Sequence, residues 1–171
     1  MAAGKNESTT VNPTTMERVS DREVVMTRTF NGPARIVFDA FTRPELVRRW
    51  WAPRSHGVTM VSCDADVRVG GAYRYVIQAR SGPELGFSGR YTEITPHTRL
   101  VYTQIFEPMR DAGEVVVTVT FQEQAGKTHM VSREVYPSKE ACEGALATGM
   151  ESGARETMDQ LDELVASLAR G

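Results

Sequence analysis

The feature that most constrains the fold is a series of strand-like segments between residues 57 and 136. Six stretches rich in β-branched and aromatic residues occur there, near residues 58–68, 72–80, 85–95, 99–107, 114–123 and 127–136. Short turns such as Gly70-Gly71 and Ser81-Gly82-Pro83 separate them. Parallel neighbours would need crossover connections of a dozen or more residues. The series therefore predicts an antiparallel meander.

Helical patterns flank this meander on both sides. Before it, residues 23–30 read as one more strand, and two short helices follow between Pro33 and Ala52. After it, apolar residues recur at three- and four-residue steps as far as Leu168, which predicts a helix that is firm over residues 148–168. The order β-α-α-β6-α predicts an α+β domain, a curved antiparallel sheet of about seven strands wrapped around the long C-terminal helix.

Three glycines lie in the first half of the last helical segment: Gly144, Gly149 and Gly153. Each costs about 1 kcal/mol relative to alanine in a helix interior. Two interpretations are open. The glycines mark a break near Gly144, or they let the backbone of the sheet come close.

The chain has 171 residues, which fits one domain and a short tail. Residues 1–21 are polar and rich in Thr, Ser and Asn, so we expect a flexible N-terminal tail there and one domain over 22–171. The tail has no apolar run of the kind a signal peptide needs, and no segment reaches the length of a membrane span. These features predict a cytoplasmic protein.

Charge and cysteine content exclude several classes of function. A net charge of -2 argues against binding to nucleic acid or to an anionic membrane. Cys63 and Cys142 are far apart and fit no metal-ligand spacing, so we expect two free thiols, no metal and no cofactor.

Alternation along the strands indicates which side chains face inward. Tyr73 and Tyr75 alternate with Arg74, and Phe87 and Tyr91 alternate with Ser88 and Arg90. An apolar cavity between sheet and helix would be lined by aromatic and methionine side chains, which could equally be plain core. The candidates are Trp50, Trp51, Tyr73, Tyr75, Phe87, Tyr91, Tyr102, Met130, Met150 and Met158.

The sequence predicts no catalytic residue. None of His56, His97 and His129 has a carboxylate nearby in sequence, and no nucleophile-elbow, zinc-protease or nucleotide-binding motif occurs. If Met130 faces inward, His129 must face solvent. Six charged residues lie within the predicted strands, and most of them are expected on the solvent face: Asp64, Asp66, Arg90, Glu93, Arg133 and Glu134. One that pointed inward would be a candidate site, because a charge in an apolar cavity must be paired.

Several motifs resemble those of a known family. They are RTFNGP at residues 28–33, RWWAP at 49–53, DVRVGGAYR at 66–74 and GRYTEITP at 89–96. Taken in this order over about residues 22–168, they resemble the SRPBCC (START-like, birch-pollen-allergen-like) superfamily. Within it, the most similar branch contains homologues of the C-terminal domain of the activator of heat-shock protein 90 ATPase. The resemblance implies a helix-grip fold and a tryptophan of the pair at the cavity mouth.

These observations favour a non-enzymatic, or at most weakly catalytic, protein that binds a small apolar or amphipathic molecule in its cavity. Two alternatives stay open. One is a protein-interaction module like the chaperone activator's C-terminal domain. The other is an enzyme of the cyclase or hydrolase type that acts through a buried polar pair. Unpaired edge strands would allow a homodimer.

Overall fold

The computed structural model describes residues 12–171. Eight strands form one antiparallel sheet in the order β1-β2-β8-β7-β6-β5-β4-β3. The α+β class and the antiparallel meander are thus confirmed. The strands are β1 (Thr15–Arg18), β2 (Glu23–Phe30), β3 (Thr59–Ala65), β4 (Ala72–Gln78), β5 (Glu84–Thr95), β6 (Arg99–Phe106), β7 (Val115–Gln124) and β8 (Lys127–Val135).

Four α-helices cover the concave face and one end of this sheet. α1 (Ala34–Thr42) and α2 (Pro44–Val47) follow β2, and α3 (Lys139–Ala147) and α4 (Met150–Arg170) follow β8. Breaks in the register of β3 and β5 increase the local bend of the sheet. The curved sheet and the long helix in its hollow form a helix grip. No helix in the described part of the chain is both long and apolar enough to cross a bilayer.

The first strand lies inside the segment expected to be a tail. Residues 15–18 pair with residues 24–27 of β2, so the regular structure begins before residue 22. An edge strand can form on backbone hydrogen bonds with little apolar patterning, and Met16 adds a contact with the cluster around Val24 and Tyr136. Residues 1–11 lie outside the described part of the chain.

The last helical segment is divided at Gly149, not at Gly144. Gly149 has a left-handed backbone (φ +77°) that ends α3 and starts α4. At Gly144 and Gly153 an added Cβ would meet no sheet backbone within 4 Å. Close approach of the sheet therefore does not explain these two glycines.

α4 is held to the sheet by a buried core and by one ion-pair cluster. Leu161 and Val165 are fully buried against residues such as Phe30. Arg28 of β2 is only 2% exposed, and its guanidinium lies 2.6 Å from Asp159 and 3.2 Å from Asp162 of α4. These contacts fix the position of α4 over the concave face.

Candidate functional site

An apolar cavity of about 360 Å³ lies between the concave face of the sheet and α4. Nine of the ten side chains that the sequence singled out lie in its walls. Met130 does not. It is completely buried in the main core beside Phe30 and Phe121, where α1 and α4 close over the sheet and leave no space. The nine are Trp50, Trp51, Tyr73, Tyr75, Phe87, Tyr91, Tyr102, Met150 and Met158.

The tyrosines reach the cavity because strand side chains alternate between the two faces of a sheet. Tyr73 and Tyr75 are buried on β4, while Arg74 between them is exposed and pairs with Glu107 at 2.8 Å. The Tyr73 hydroxyl donates to the Thr103 carbonyl at 2.7 Å. Burial raises the pKa of Tyr75, so its phenol stays protonated at neutral pH and can donate a hydrogen bond.

The two adjacent tryptophans have different environments. Trp50 is 4% exposed, and its indole Nε1 donates to the Ala40 carbonyl at 2.8 Å, which anchors it to α1. Trp51 is partly exposed and meets the rings of Tyr75 and Phe87 edge-on, with centroids 5.2 and 4.8 Å away. One tryptophan is thus fixed in the core, while the other forms a partly exposed section of the cavity wall.

α4 also fixes the loop that follows the tryptophans. The side-chain amide of Gln160 donates to the carbonyls of Trp50 and Ala52, at 2.9 and 2.8 Å, and its oxygen accepts from the backbone N–H of Arg54 at 3.0 Å. One turn earlier, Glu156 accepts from the Ser55 hydroxyl and backbone N–H, both at 2.7 Å. This edge of the cavity is therefore preorganised by hydrogen bonds.

The histidines are not in the cavity walls. His129 faces solvent beside Thr29, as the alternation on its strand predicted. His56 lies 3.0 Å from Glu156, a carboxylate that is 100 positions away in sequence and so could not be anticipated from neighbours. Hydrogen bonds from Ser55 are the main cause of the lowered pKa of Glu156, and His56 adds to the shift. No group of three or more potential metal ligands occurs within residues 12–171.

Glu134 is the functional candidate that sequence reasoning did not single out. Most charged strand residues were expected on the solvent face, but Glu134 lies in the cavity wall. Met130 and Ser132 on β8 are buried, as is Tyr136 directly after the strand, so Glu134 shares their inward phase. The signal was available. If Met130 faces inward, a residue four positions further along the strand does too.

The carboxyl group of Glu134 has one hydrogen-bond partner within the described chain. The Tyr136 hydroxyl donates to Glu134 Oε2 at 2.8 Å. Burial raises the pKa of Glu134, and the hydrogen bond from Tyr136 offsets part of that shift. Glu134 is thus a partly buried acid in a lining that is mostly apolar and aromatic.

A second pocket of about 290 Å³ adjoins the first beneath α3. Four residues belong to the walls of both: Phe87, Gln104, Glu134 and Met150. Tyr136 and Ala145 are among the remaining walls of the second pocket. Glu134 therefore lies at the junction of two adjacent spaces.

A curved sheet closed over a long helix around an aromatic cavity defines a helix-grip protein of the SRPBCC type. The family model described as "Activator of Hsp90 ATPase homolog 1-like protein" matches residues 31–166. The chain belongs to this family.

Solved structures support the same assignment of fold. A crystal structure of a Rhodobacter sphaeroides protein has a TM-score of 0.82 and 25% identity, covering 90% of this chain and 99% of that one. A solution structure from Staphylococcus epidermidis has a TM-score of 0.74 and 28% identity, covering 90% and 94%. A Nitrosomonas europaea protein shares the fold at 21% identity, with a TM-score of 0.78 and coverage of 89% and 99%. Among curated proteins, none matches this sequence.

Proposed function

We propose that this protein binds a small apolar or amphipathic molecule in the cavity between its sheet and α4. The observation that carries the proposal is the cavity of about 360 Å³ with aromatic walls. Small-molecule sites are typically clefts of about 300–1,000 Å³ with apolar walls and a few polar groups. An empty cavity in a protein core lowers the free energy of unfolding by about 24 cal/mol per Å³. A domain that binds no ligand would therefore be more stable without this cavity.

Small residues on α4 help to keep this space open. Gly153 and Ala154, the fourth and fifth residues of the helix, line the cavity. A Cβ at Gly153 would have no atom within 4 Å. A larger side chain at this position would enter the cavity rather than clash with the sheet.

This geometry allows a direct test with a substitution that fills the cavity. The neutral probe 2-(1-naphthyl)ethanol is titrated into the wild type and into Gly153→Leu, and binding is followed by naphthalene fluorescence. We expect at least a tenfold loss of affinity in Gly153→Leu. Ser152→Leu is the matched control. Ser152 is exposed, so this substitution places the same leucine side chain on α4 outside the cavity. Equal affinity in the wild type and in a folded Gly153→Leu variant would refute the proposal.

Native mass spectrometry of the purified protein, followed by denaturing extraction, identifies a ligand that co-purifies. A discrete bound mass that is absent from Gly153→Leu would support the same site independently. Recovery of that mass from both proteins would place the ligand elsewhere.

The family description favours a second candidate function, interaction with the Hsp90 chaperone. A pull-down of the host chaperone with the wild-type protein, and an ATPase assay of that chaperone, test it. Stimulation that survives Gly153→Leu would separate a surface interaction from ligand binding. No capture and no stimulation would remove this candidate.

A further inference from the structure

We propose that the ligand of this cavity carries a positively charged nitrogen that binds Glu134, an inference that rests on the proposed ligand-binding function. The ligand class is an amphipathic amine with an aromatic or aliphatic body. Three features of the cavity support this choice: an acid without a counter-charge, walls without a cation, and a high density of aromatic rings.

The first feature is the incomplete pairing of Glu134. Within residues 12–171, no Lys, Arg or His nitrogen lies within 4.0 Å of its carboxyl oxygens. Tyr136 donates to Oε2, and no described residue donates to Oε1. Glu134 is partly buried. A carboxylate that has lost part of its hydration and lacks a cation is costly, and a ligand that supplies a cation recovers part of that cost.

The second feature is the sign of the cavity's charge. Glu134 is the only ionic side chain among the described residues that line either pocket. A carboxylate or phosphate ligand would need a cation in the wall to replace its hydration. The absence of one among these wall residues favours a cationic ligand over an anionic one.

The third feature is the aromatic surface beside the acid. Tyr102 of β6 and Glu134 of β8 lie two strands apart on the same face of the sheet, because both are opposite Val117 of β7. Burial is the main cause of the raised pKa of Tyr102, and the charge of Glu134 raises it further. The rings of Tyr91 and Tyr102 lie 6.3 Å apart, and Trp51 lies 4.8 Å from Phe87. Ring faces attract cations, and cages of aromatic side chains are typical of ammonium recognition.

The position of Glu134 also constrains the shape of the ligand. Because Glu134 belongs to both pockets, the nitrogen would lie at their junction, with the apolar body in the larger pocket. A substituent on the nitrogen could then extend beneath α3.

Three probes with one ring system and different charges test the inference at pH 7.5. They are 2-(1-naphthyl)ethylamine, which is a cation, 2-(1-naphthyl)ethanol, which is neutral, and 1-naphthylacetate, which is an anion. In the wild type we expect the amine to bind about tenfold more tightly than the alcohol, as one charge-assisted hydrogen bond implies. In Glu134→Gln this preference should disappear, while the affinity for the alcohol stays within about twofold. Glu163→Gln makes the same chemical change at an exposed position of α4 and should retain the preference.

Each outcome separates the inference from the function on which it rests. Equal binding of amine and alcohol to the wild type, or a preference that survives Glu134→Gln, overturns the inference and leaves the binding cavity intact. Tightest binding of the acetate overturns it too, because a protonated Glu134 would then act as a donor. If none of the probes binds, the proposed function fails together with the inference.

Discussion

Replacing Gly153 with alanine should stabilise the protein, and the size of the effect can be worked from the structure. Gly153 is the fourth residue of α4, and an alanine methyl there would meet no atom within 4 Å outside the helix's own adjacent backbone. Glycine is about 0.8–1.0 kcal/mol less favourable than alanine in a helix interior, mainly because the unfolded chain has more freedom to lose. We therefore expect the free energy of unfolding to rise by about 1 kcal/mol, which corresponds to about 2–4 °C in Tm for a domain of this size.

Urea unfolding followed by circular dichroism measures this change, and Gly149→Ala is the matched control four residues earlier. Gly149 has φ +77°, a conformation that costs a residue with a Cβ about 1–2 kcal/mol, so this variant should be destabilised. The two glycine-to-alanine substitutions should therefore change the free energy of unfolding in opposite directions. A Gly153→Ala variant that is no more stable than the wild type would contradict both the helix assignment and the open space beneath it.

Further predictions concern buried ionisable groups. Burial raises the pKa of Glu134 above its usual value of 4.5, so the folded protein binds the carboxyl proton more tightly than the unfolded chain does. The folded state therefore loses stability as the pH rises from 4.5 through the folded-state pKa. Glu134→Gln should therefore add about 1 kcal/mol to the free energy of unfolding at pH 8 and much less at pH 4, and equal gains at both pH values would contradict this. Asp162→Asn should lower the free energy of unfolding by about 2 kcal/mol, and Asp159→Asn by at most about 1 kcal/mol. Asp159 lies closer to Arg28, but its side chain is 62% exposed and that of Asp162 only 19%, so water screens the Asp159 pair more strongly. Urea unfolding of both variants gives the order, and the reverse order would refute it. Burial raises the pKa of Cys63 to about 11, so iodoacetamide should alkylate it at pH 7.5 far more slowly than it alkylates a small exposed thiol. Mass spectrometry measures the rate of alkylation. A rate equal to that of the exposed thiol would contradict the burial of Cys63.

The meander could be predicted because its turns are short and rich in glycine and proline. Predicted strands such as 72–80 and 99–107 end within two residues of the observed bounds. β1 could not be predicted, since an edge strand needs only backbone partners and residues 15–18 carry one apolar side chain. The break at Gly149 was also beyond reach, because the sequence does not show which of three glycines has a positive φ.

The side chains that line the cavity could largely be predicted from the sequence, whereas the size of the cavity and the acid in its wall could not. Alternation placed Tyr73, Tyr75 and Tyr91 inward, whereas the space itself depends on how far α4 stands from the sheet. Met130 does not line the cavity because it is completely buried in the main core, and strand alternation predicts which face a side chain is on but not whether open space lies beside it. Glu134 was not singled out from the other charged strand residues because charge was weighed above strand phase, although the phase of Met130 applied to both residues.

The division of the C-terminal segment at Gly149 separates two hydrophobic clusters. α4 packs into the main core, whereas α3 buries Cys142 in a smaller cluster with Val24 and Tyr136. Units that share few buried side chains can unfold locally at a lower free energy than the whole domain. Detachment of α3 would expose the second pocket and the acid at its junction while α4 and the main core stay in place. A ligand could then exchange on the timescale of this local opening, without waiting for global unfolding.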